Sequence, residues 1–438
     1  MLKAVILMGG PQKGTRFRPI SLDCPKPLFP MAGLPMVEHL IKECSTVDGM
    51  KEIFLIGFYP QQTFTHFIDE MIRKYNISVR YLQEYQPLGT AGGIYHFRDQ
   101  IRIGDPEAVF LINGDVCGDF DLKEMLDFHR RLPNDKLITI MATEATRQQC
   151  FNYGCIVENK DNHQVLHYVE KPQTYISSTI SCGVYLFQID LFYRIGDVFK
   201  RRHEEQSAIS YNDSDDMPNH NGVNGIFGGD NISESISLEE DLLMPLSQTK
   251  SVFVFKICQQ WWSQLKTGGS AIYANRNYLK DYRKTNAQIL ASNSVNGPKI
   301  VGDVYIHPTA NIDATATIGP NVSISEGVKI GAGVRVKESI ILKNAIINDH
   351  ALVLHSIVGC NCTIGLWSRV EGTPCDPNPN KAFAKIDNQT LFDGDGKLNP
   401  LISVLGSNVQ ICSEIIVLNS IVLPFKELNR SYKNEIIL

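Results

Sequence analysis

The stretch VYIHPTANIDATATIGPNVSISEGVKIGAGVRV, residues 304–336, repeats every six residues and decides the fold of the C-terminal part. A large aliphatic residue recurs from Ile306 to Val336, and alanine or valine stands two positions before each of these residues. An α-helix would place residues six apart on different faces, and a flat strand would allow every even residue to be apolar. A six-residue period is typical of a β-solenoid, in which both positions face inward. We therefore predict a parallel β-helix of hexapeptide repeats over residues 301–438.

The six-residue period continues beyond residue 336 with a shift in phase. The next inward positions are predicted to be Ile340, Ile346, Leu352, Val358, Ile364 and Val370. This series is four residues out of step with the first, so we expect one wider corner between them. The pattern breaks at Glu371 and returns near Leu401. We expect the polar residues 371–400 to protrude as a loop, and loops of this length are often functional.

The N-terminal part alternates short apolar runs with longer amphipathic stretches, which is the βα pattern of a mostly parallel sheet covered by helices. The predicted strands are residues 4–8, 52–58, 78–84, 108–112, 137–143 and 251–257. Apolar residues at helical spacing predict helices over residues 34–46, 61–75, 92–101, 122–132 and 270–282. Residues 151–190 contain short strand-like runs instead, so we expect a strand-rich lobe there.

These patterns predict an α/β protein of two domains. A Rossmann-like domain is expected over residues 1–285, followed by a linker over 286–300 and the β-helix. Residues 204–236 are dominated by serine, asparagine, aspartate, glycine and glutamate. Such a stretch buries too little apolar surface to offset the entropy of ordering it. We therefore expect these residues to form a disordered insertion in the first domain.

The overall composition excludes several classes of protein. The 438 residues are 43% hydrophobic and 20% charged, as in ordinary globular proteins. A net charge of -5 argues against binding nucleic acid or anionic membranes through bulk charge. The apolar N-terminus is too short for a signal peptide, and no run approaches the roughly 20 apolar residues of a membrane helix. We expect a cytoplasmic protein whose 11 scattered cysteines are reduced thiols.

A glycine-rich loop follows the first predicted strand. It reads Gly9-Gly10-Pro11-Gln12-Lys13-Gly14-Thr15-Arg16, and Pro25-Lys26-Pro27 follows shortly. Glycines after a buried strand let backbone N–H groups approach phosphates closely. Arg16 and Lys26 would then neutralise phosphate oxygens. For the glycines alone, a glycine-rich turn with two solvated cations is the stronger interpretation.

Further polar segments lie at strand ends and favour a ligand site. They are Leu88-Gly89-Thr90-Ala91-Gly92-Gly93, Asn113-Gly114-Asp115, Glu170-Lys171-Pro172 and Ser181-Cys182-Gly183. Ligands of open α/β sheets bind at the carboxyl ends of the strands, so we expect these segments to converge. Asp115 is placed to hold Mg²⁺, and Lys171 is placed to meet a second phosphate.

Together, these motifs resemble the nucleotide-sugar pyrophosphorylases, whose signature is G-G-x-G-T-R-L-x-P-L-T followed by P-K-P. The resemblance covers nearly the whole chain and implies that the C-terminal hexapeptide repeats form a left-handed β-helix. It is greatest to the GDP-mannose pyrophosphorylases, and within them to the alpha-type branch, which has the longer glycine loop. Enzymes of that family catalyse the attack of mannose 1-phosphate on the α-phosphorus of GTP, which releases pyrophosphate. They do so mainly by positioning the substrates and neutralising their charge.

The resemblance implies a role for each motif. The nucleotide would contact Gly9, Gly10, Gly14, Thr15, Arg16, Lys26, Leu88, Gly89, Thr90, Ala91 and Gly92. The sugar and its phosphate would contact Asn113, Asp115, Tyr153, Gly154, Glu170 and Lys171. Asp115 would also be a metal ligand, and Arg16 and Lys26 would be what remains of the catalytic set.

Two departures from the family pattern predict a loss of catalysis. The residues Pro11–Lys13 stand where active members have one residue, and proline has no N–H to donate. Gln264 stands where the W-x-D-I-G motif of active relatives has its second Mg²⁺-binding aspartate. An amide brings no charge, and losing a metal removes several kcal/mol of transition-state stabilisation. We therefore expect Mg²⁺ not to be required for ligand binding.

The resulting hypothesis is a regulatory subunit that binds GDP-mannose and inhibits a catalytic beta-type partner within a hetero-oligomer. An active mannose-1-phosphate guanylyltransferase is the alternative, because Arg16, Lys26, Asp115 and Lys171 remain. The guanine-nucleotide exchange subunits of translation initiation share the two-domain plan, but they add a helical-repeat domain that we do not expect here. Acyl transfer by a hexapeptide β-helix would use His307, His350 or His355, which we interpret as surface histidines instead.

Overall fold

The chain packs as two units whose segments interleave along the sequence. The computed structural model describes residues 1–10, 15–212, 235–374, 376–377, 390–394 and 398–438, without the side chains of residues 16, 203 and 205–212. Unit 1 comprises Met1–Gly9, Cys44–Asn113 and Asp121–Cys258. Unit 2 comprises Gly10–Glu43, Gly114–Phe120 and Gln259–Leu438. The linker predicted over residues 286–300 lies within unit 2, so the packing units do not follow the predicted domain boundaries.

The elements before the β-helix agree closely with the predicted strands and helices. The strands are β1 (Leu2–Gly9), β2 (Pro30–Met31), β3 (Leu34–Pro35), β4 (Met50–Gly57), β5 (Ser78–Gln83), β6 (Ala108–Asn113), β7 (Val116–Gly118), β8 (Ile138–Glu144), β9 (Cys155–Glu158), β10 (Val165–Val169), β11 (Thr179–Phe187), β12 (Val252–Lys256) and β13 (Trp262–Gln264). The α-helices are α1 (Ile20–Asp23), α2 (Met36–Ser45), α3 (Thr65–Tyr75), α4 (Gly89–His96), α5 (Arg98–Arg102), α6 (Leu122–Arg131), α7 (Leu191–Asn212), α8 (Met244–Leu246) and α9 (Gly268–Thr285).

Unit 1 is built on a mixed sheet with a parallel half. Its strand order is β10-β9-β11-β6-β1-β4-β5, and β8 joins β11 to β12. The pairs β6-β1, β1-β4 and β4-β5 are parallel, whereas β11 runs antiparallel to its neighbours. The central strands are almost continuously apolar because they are buried on both faces. This sheet confirms the predicted α/β fold, and β9 to β11 form the expected strand-rich lobe.

The segment predicted to be a disordered insertion is ordered at both of its ends. Helix α7 continues through Asn212, well past the predicted start at residue 204. Ile236 is fully buried in the core of unit 1. The apolar first turns of α7 nucleate a helix that propagates into the following polar residues, and Ile236 contributes apolar surface that the overall composition of the segment obscures. Residues 213–234 lie outside the described residues.

The C-terminal part of unit 2 is the predicted β-helix, made of three faces of short parallel strands. The first face contains Lys299–Ile300, Thr317–Ile318, Arg335–Lys337, Leu352–Leu354, Arg369–Glu371, Ile416–Leu418 and Tyr432–Lys433. The second face contains Val304–Ile306, Val322–Ile324, Ile340–Ile341, Ser356–Val358, Ser403–Leu405, Ile421–Val422 and Ile436–Ile437. The third face contains Asn311–Ile312, Lys329–Ile330, Ile346–Ile347, Thr363–Ile364, Gln410–Ile411 and Glu427–Leu428.

The inward positions match the prediction up to Val336 and then differ by one residue. Ile324 stacks on Ile341, so Ile340, which was predicted to point inward, points outward. Likewise Ile346 and Leu352 are half-buried, and their neighbours Ile347 and Val353 form the stack. From the pairing of Ile324 with Ile341 onward, the repeat shortens by one residue, so one corner is a residue shorter there and not wider as expected. Two adjacent aliphatic residues leave the phase ambiguous in sequence, and Val358, Ile364 and Val370 then return to the predicted positions.

Helix α9 explains why an outward isoleucine is also buried. It packs on the second face of the β-helix, where Ile340, Ile357 and Val404 belong to the same apolar cluster as Ala271 and Leu279 of the helix. This packing places residues 268–285 with the β-helix and not with the sheet of unit 1. Across the described residues, each helix is too short or too polar to cross a lipid bilayer.

The register of the β-helix can be tested at two adjacent isoleucines. Changing Ile347→Ala opens a cavity in the stack and should lower the free energy of unfolding by about 2–5 kcal/mol. Changing Ile346→Ala, which removes the same atoms from an outward position, should cost about 1 kcal/mol or less. Urea unfolding of both variants measures the difference, and equal losses would contradict the register described here.

Candidate functional site

In unit 2, three residues singled out in the sequence lie together at the start of β7. Asp115 immediately precedes β7, which pairs antiparallel with β13 so that Gln264 lies beside it. The backbone N–H of Leu265 donates to the carbonyl oxygen of Asp115 at 2.7 Å and holds the two chains in place. Lys26 begins a short 3-10 turn and reaches the same carboxylate. Lys26, which was predicted to contact a phosphate, therefore lies beside Asp115, which was predicted to be a metal ligand.

Hydrogen-bond donors surround the carboxylate of Asp115. The Gln264 amide donates through Nε2 to Oδ1 at 3.0 Å and to Oδ2 at 3.1 Å. The Lys26 ammonium donates to Oδ2 at 3.3 Å, and only 14% of the Lys26 side chain is exposed. Salt screens a sheltered pair less than a surface pair. Lys26 therefore neutralises Asp115 within this site.

Mg²⁺ is the metal that the motif resemblance implies at Asp115, and the residues present do not fit it. Mg²⁺ demands octahedral oxygen ligands and is usually held by carboxylates together with substrate phosphates. Here both oxygens of Asp115 face N–H donors, and the second family carboxylate is the amide of Gln264. In the part of the chain that the structure describes, no three His, Cys, Asp or Glu side chains are grouped to hold a metal ion. Among the described side chains, the Lys26 ammonium is a cation that pairs with Asp115.

In unit 1, four of the residues predicted to hold the sugar and its phosphate meet where β9 and β10 pair, namely Tyr153, Gly154, Glu170 and Lys171. The N–H of Lys171 donates to the carbonyl oxygen of Tyr153 at 3.2 Å. Glu170 accepts from the Tyr168 hydroxyl at 3.1 Å and from the Lys171 ammonium at 2.8 Å, and this hydrogen bond raises the pKa of Lys171. A Cβ at Gly154 would lie 2.1 Å from the Tyr168 hydroxyl, so only glycine fits there.

The segment predicted to contact the nucleotide, Leu88–Gly92, forms the start of α4. Its backbone is hydrogen-bonded to Ile236, which follows α7 in the sequence. The carbonyl oxygen of Ile236 accepts from the N–H groups of Ala91 at 3.0 Å and Gly92 at 3.3 Å. Gly89 has a φ of +79°, and a Cβ there would lie 2.4 Å from the same carbonyl oxygen. The shape of this segment therefore depends on residue 236.

Glu239 is a candidate site residue that the sequence analysis missed. Its carboxylate accepts from the hydroxyls of Thr90 at 3.0 Å and Ser237 at 3.1 Å. Burial raises the pKa of Glu239, and the nearby carboxylate of Glu170 adds to that shift. Glu239 therefore links the nucleotide segment to the sugar cluster within unit 1. The available sequence signal was the apolar alternation that restarts at Ile236 after the polar stretch.

Of the other predicted ligand residues, the structure describes Gly9, Gly10, Thr15 and Asn113. Gly9 ends β1 with a φ of +67°, and Asn113 ends the adjacent β6. Gly10 is buried, whereas Thr15 is exposed at the start of a 3-10 turn. Outside the described residues lie Gly14, the inserted Pro11–Lys13 and the side chain of Arg16. The nucleotide contacts predicted for all of them stay predictions.

Comparisons with known proteins match both parts of the chain. The nucleotidyl transferase family model matches residues 3–217, and the model of the GMPPB C-terminal domain matches residues 300–437. Mannose-1-phosphate guanylyltransferase regulatory subunit alpha-B of Danio rerio is 55% identical over 439 residues, with 100% of each chain covered. The regulatory subunit alpha of Drosophila melanogaster is 55% identical and that of Homo sapiens is 52% identical, again over 100% of each chain.

Restoring the family aspartate should restore a metal site. In Gln264→Asp a second carboxylate replaces the amide that donates to Asp115, so Mg²⁺ should bind at least about tenfold more tightly, which corresponds to about 1.4 kcal/mol. Calorimetric titration with Mg²⁺ measures this. Gln259→Asp adds the same charge at an exposed position and is the matched control. Equal Mg²⁺ affinity in the parent and Gln264→Asp would contradict the role given to Gln264.

Proposed function

Because the chain belongs to the family of mannose-1-phosphate guanylyltransferase regulatory alpha subunits, we propose that it binds GDP-mannose and relays feedback inhibition to a catalytic beta-type subunit. The two would form a hetero-oligomer in which this chain senses the product and the partner makes it. The proposal has three parts, namely ligand binding, the loss of turnover and communication with the partner.

The observation that carries the proposal is the pairing of Asp115 with Lys26 and Gln264. Recognition of a product and stabilisation of a transition state are separable, because only interactions that strengthen in the transition state accelerate the reaction. A paired Asp115 lacks the free oxygens and the second carboxylate with which active relatives would hold Mg²⁺. The same arrangement retains a sheltered ammonium, which favours a bound diphosphate.

The cluster in unit 1 supports binding of the sugar end of the ligand. Glu170 supplies carboxylate oxygens that can accept from sugar hydroxyls, and Lys171 supplies a positive charge for a phosphate. The Lys171 side chain is 63% exposed, so a ligand can reach it. Glu239 holds Thr90 next to this cluster, where the nucleotide segment would meet the ligand.

Residues 371–400, here called the arm, are the proposed contact with the partner. They leave the β-helix after Glu371 and rejoin it before Ser403, which pairs with Ser356 in the second face. The strands on either side pair in the ordinary parallel register without these residues, so the arm would be available to contact a neighbouring subunit. We propose that the arm transmits inhibition to the active site of the partner.

Ligand binding and turnover can be measured on the purified chain. GDP-mannose should bind with similar affinity in Mg²⁺-containing and metal-free buffer, as measured by calorimetry, because Lys26 neutralises the site without a metal. Release of pyrophosphate from GTP and mannose 1-phosphate should be at least about a thousandfold slower than for the catalytic partner, given several kcal/mol of lost metal stabilisation. Rapid Mg²⁺-dependent release by the isolated chain would instead establish an active guanylyltransferase.

The arm can be tested in the complex with the catalytic subunit. Deleting residues 376–396 should weaken inhibition by GDP-mannose and leave its affinity for this chain unchanged, because the deleted residues contain none of the proposed ligand contacts. Inhibition is measured as the rate of GDP-mannose synthesis by the complex against added GDP-mannose. A chain in which residues 378–389 are replaced by a glycine-serine stretch of equal length controls for loop length. Unchanged inhibition by the deletion variant would argue against the arm.

A further inference from the structure

We propose that α9 couples the Asp115 site to the arm, and that Arg276 is the positioning residue through which it does so. This inference rests on the proposed function, since it names the regulatory connection of the same site. Three sets of contacts made by α9 support it. They lie at the start of the helix near Asp115, in its middle at Arg276, and at Gly268 against the strand that follows the arm. All of these contacts lie within unit 2.

The first turn of α9 is tied to the ligand site. Leu265, whose N–H is bonded to the carbonyl oxygen of Asp115, is fully buried just before the helix begins. Thr267 caps the helix, since the Thr267 hydroxyl accepts from the Ser270 N–H at 3.3 Å and the Ser270 hydroxyl accepts from the Thr267 N–H at 3.0 Å. A short and fully bonded connection of this kind transmits a displacement of Asp115 to α9.

The middle of α9 is tied to the beginning of the arm. Arg276 donates through Nε at 3.1 Å and Nη2 at 3.0 Å to Glu338 at a corner of the β-helix. Its remaining nitrogen, Nη1, lies 2.6 Å from Oδ1 of Asp376 in the arm. Glu338 is itself held by the Asn321 amide at 2.7 Å, so this end of the network is fixed. A planar guanidinium presents five N–H donors in a fixed fork, which suits it to bridge two carboxylates in this way.

The start of α9 also touches the chain where the arm returns. A Cβ at Gly268 would lie 2.7 Å from Cδ1 of Ile402 and 3.2 Å from Cγ2 of Val404. The helix backbone therefore lies directly against the residues that lead from the arm into the second face. One helix thus contacts the arm at Asp376 and the chain just after the arm at Ile402 and Val404, so a movement of that helix changes the position of both.

Ligand binding drives this movement by changing the partners of Lys26 and Asp115. The diphosphate of GDP-mannose competes with Asp115 for the ammonium of Lys26, and Asp115 is then left with Gln264 as its side-chain donor. The change in contacts differs between the free and bound states, as any ligand-driven change of conformation requires. Transfer of this change through α9 to Arg276 and Asp376 alters how the arm is held.

The test removes the arm contact of Arg276 and keeps its anchor on the β-helix. Asp376→Asn should leave the affinity for GDP-mannose within about twofold of the parent and raise the concentration that half-inhibits the complex about 5-fold or more, as for a coupling of ordinary size. Arg276→Gln should do the same, and Asp376→Glu should restore most of the inhibition. Arg283→Gln is the control, because Arg283 lies on the same helix and pairs with Asp303 of the β-helix, outside the arm.

A second readout follows the isolated full-length chain without its partner. Adding GDP-mannose should change amide hydrogen exchange in residues 371–374 and 398–404 of the parent and of Arg283→Gln, and this response should be lost in Asp376→Asn. If the parent shows neither binding nor inhibition, the proposed function fails, and the coupling fails with it. If the parent binds and inhibits, and Asp376→Asn does both equally well with the same exchange response, only the inference about α9 is wrong. Loss of inhibition in Arg283→Gln as well would also overturn it, because the effect would then not be specific to the arm.

Discussion

The chemistry of this chain depends on the carboxylate of Asp115, which N–H donors approach from two sides. Lys26 supplies a charge and Gln264 supplies an amide, and together they occupy both oxygens. A carboxylate in such an environment is satisfied without a metal. In the proposed function, the Lys26 ammonium would attract the phosphates of the ligand, and the amide of Gln264 would not supply the second carboxylate of a metal site.

The second part of the candidate site shows how a segment distant in sequence shapes a binding loop. Ile236 holds the first turn of α4 through its carbonyl oxygen, and Glu239 fixes the hydroxyl of Thr90. Burial of Glu239 is unfavourable for its ionised form, since the folded state raises its pKa. Such a group lowers the stability of the fold as the pH rises through its range, and buried acids of this kind are often retained at functional sites.

The sequence predicted the fold well because its periods are strong. The six-residue period is unambiguous up to Val336, but adjacent aliphatic residues such as Ile340 and Ile341 then satisfy two phases equally. The packing of α9 decides between them, and no local pattern contains that information. Similarly, comparison with the W-x-D-I-G motif showed that Gln264 replaces an aspartate. The direction in which its amide donates could be seen only once the structure placed Asp115 beside it. Glu239 was missed because its partners lie far away along the chain.

The β-helix also has a consequence for how this protein can vary. Strand pairing on either side of the arm is continuous, as Val358 stacks on Leu405 and Val370 stacks on Val417 in the ordinary parallel register. The entropy of closing a loop grows only slowly with its length, by about 0.6 kcal/mol for each doubling. Insertions or grafts at this point would therefore leave the neighbouring coils undisturbed. The arm can therefore be replaced by another sequence, in evolution or by engineering, without changes to the β-helix that carries it.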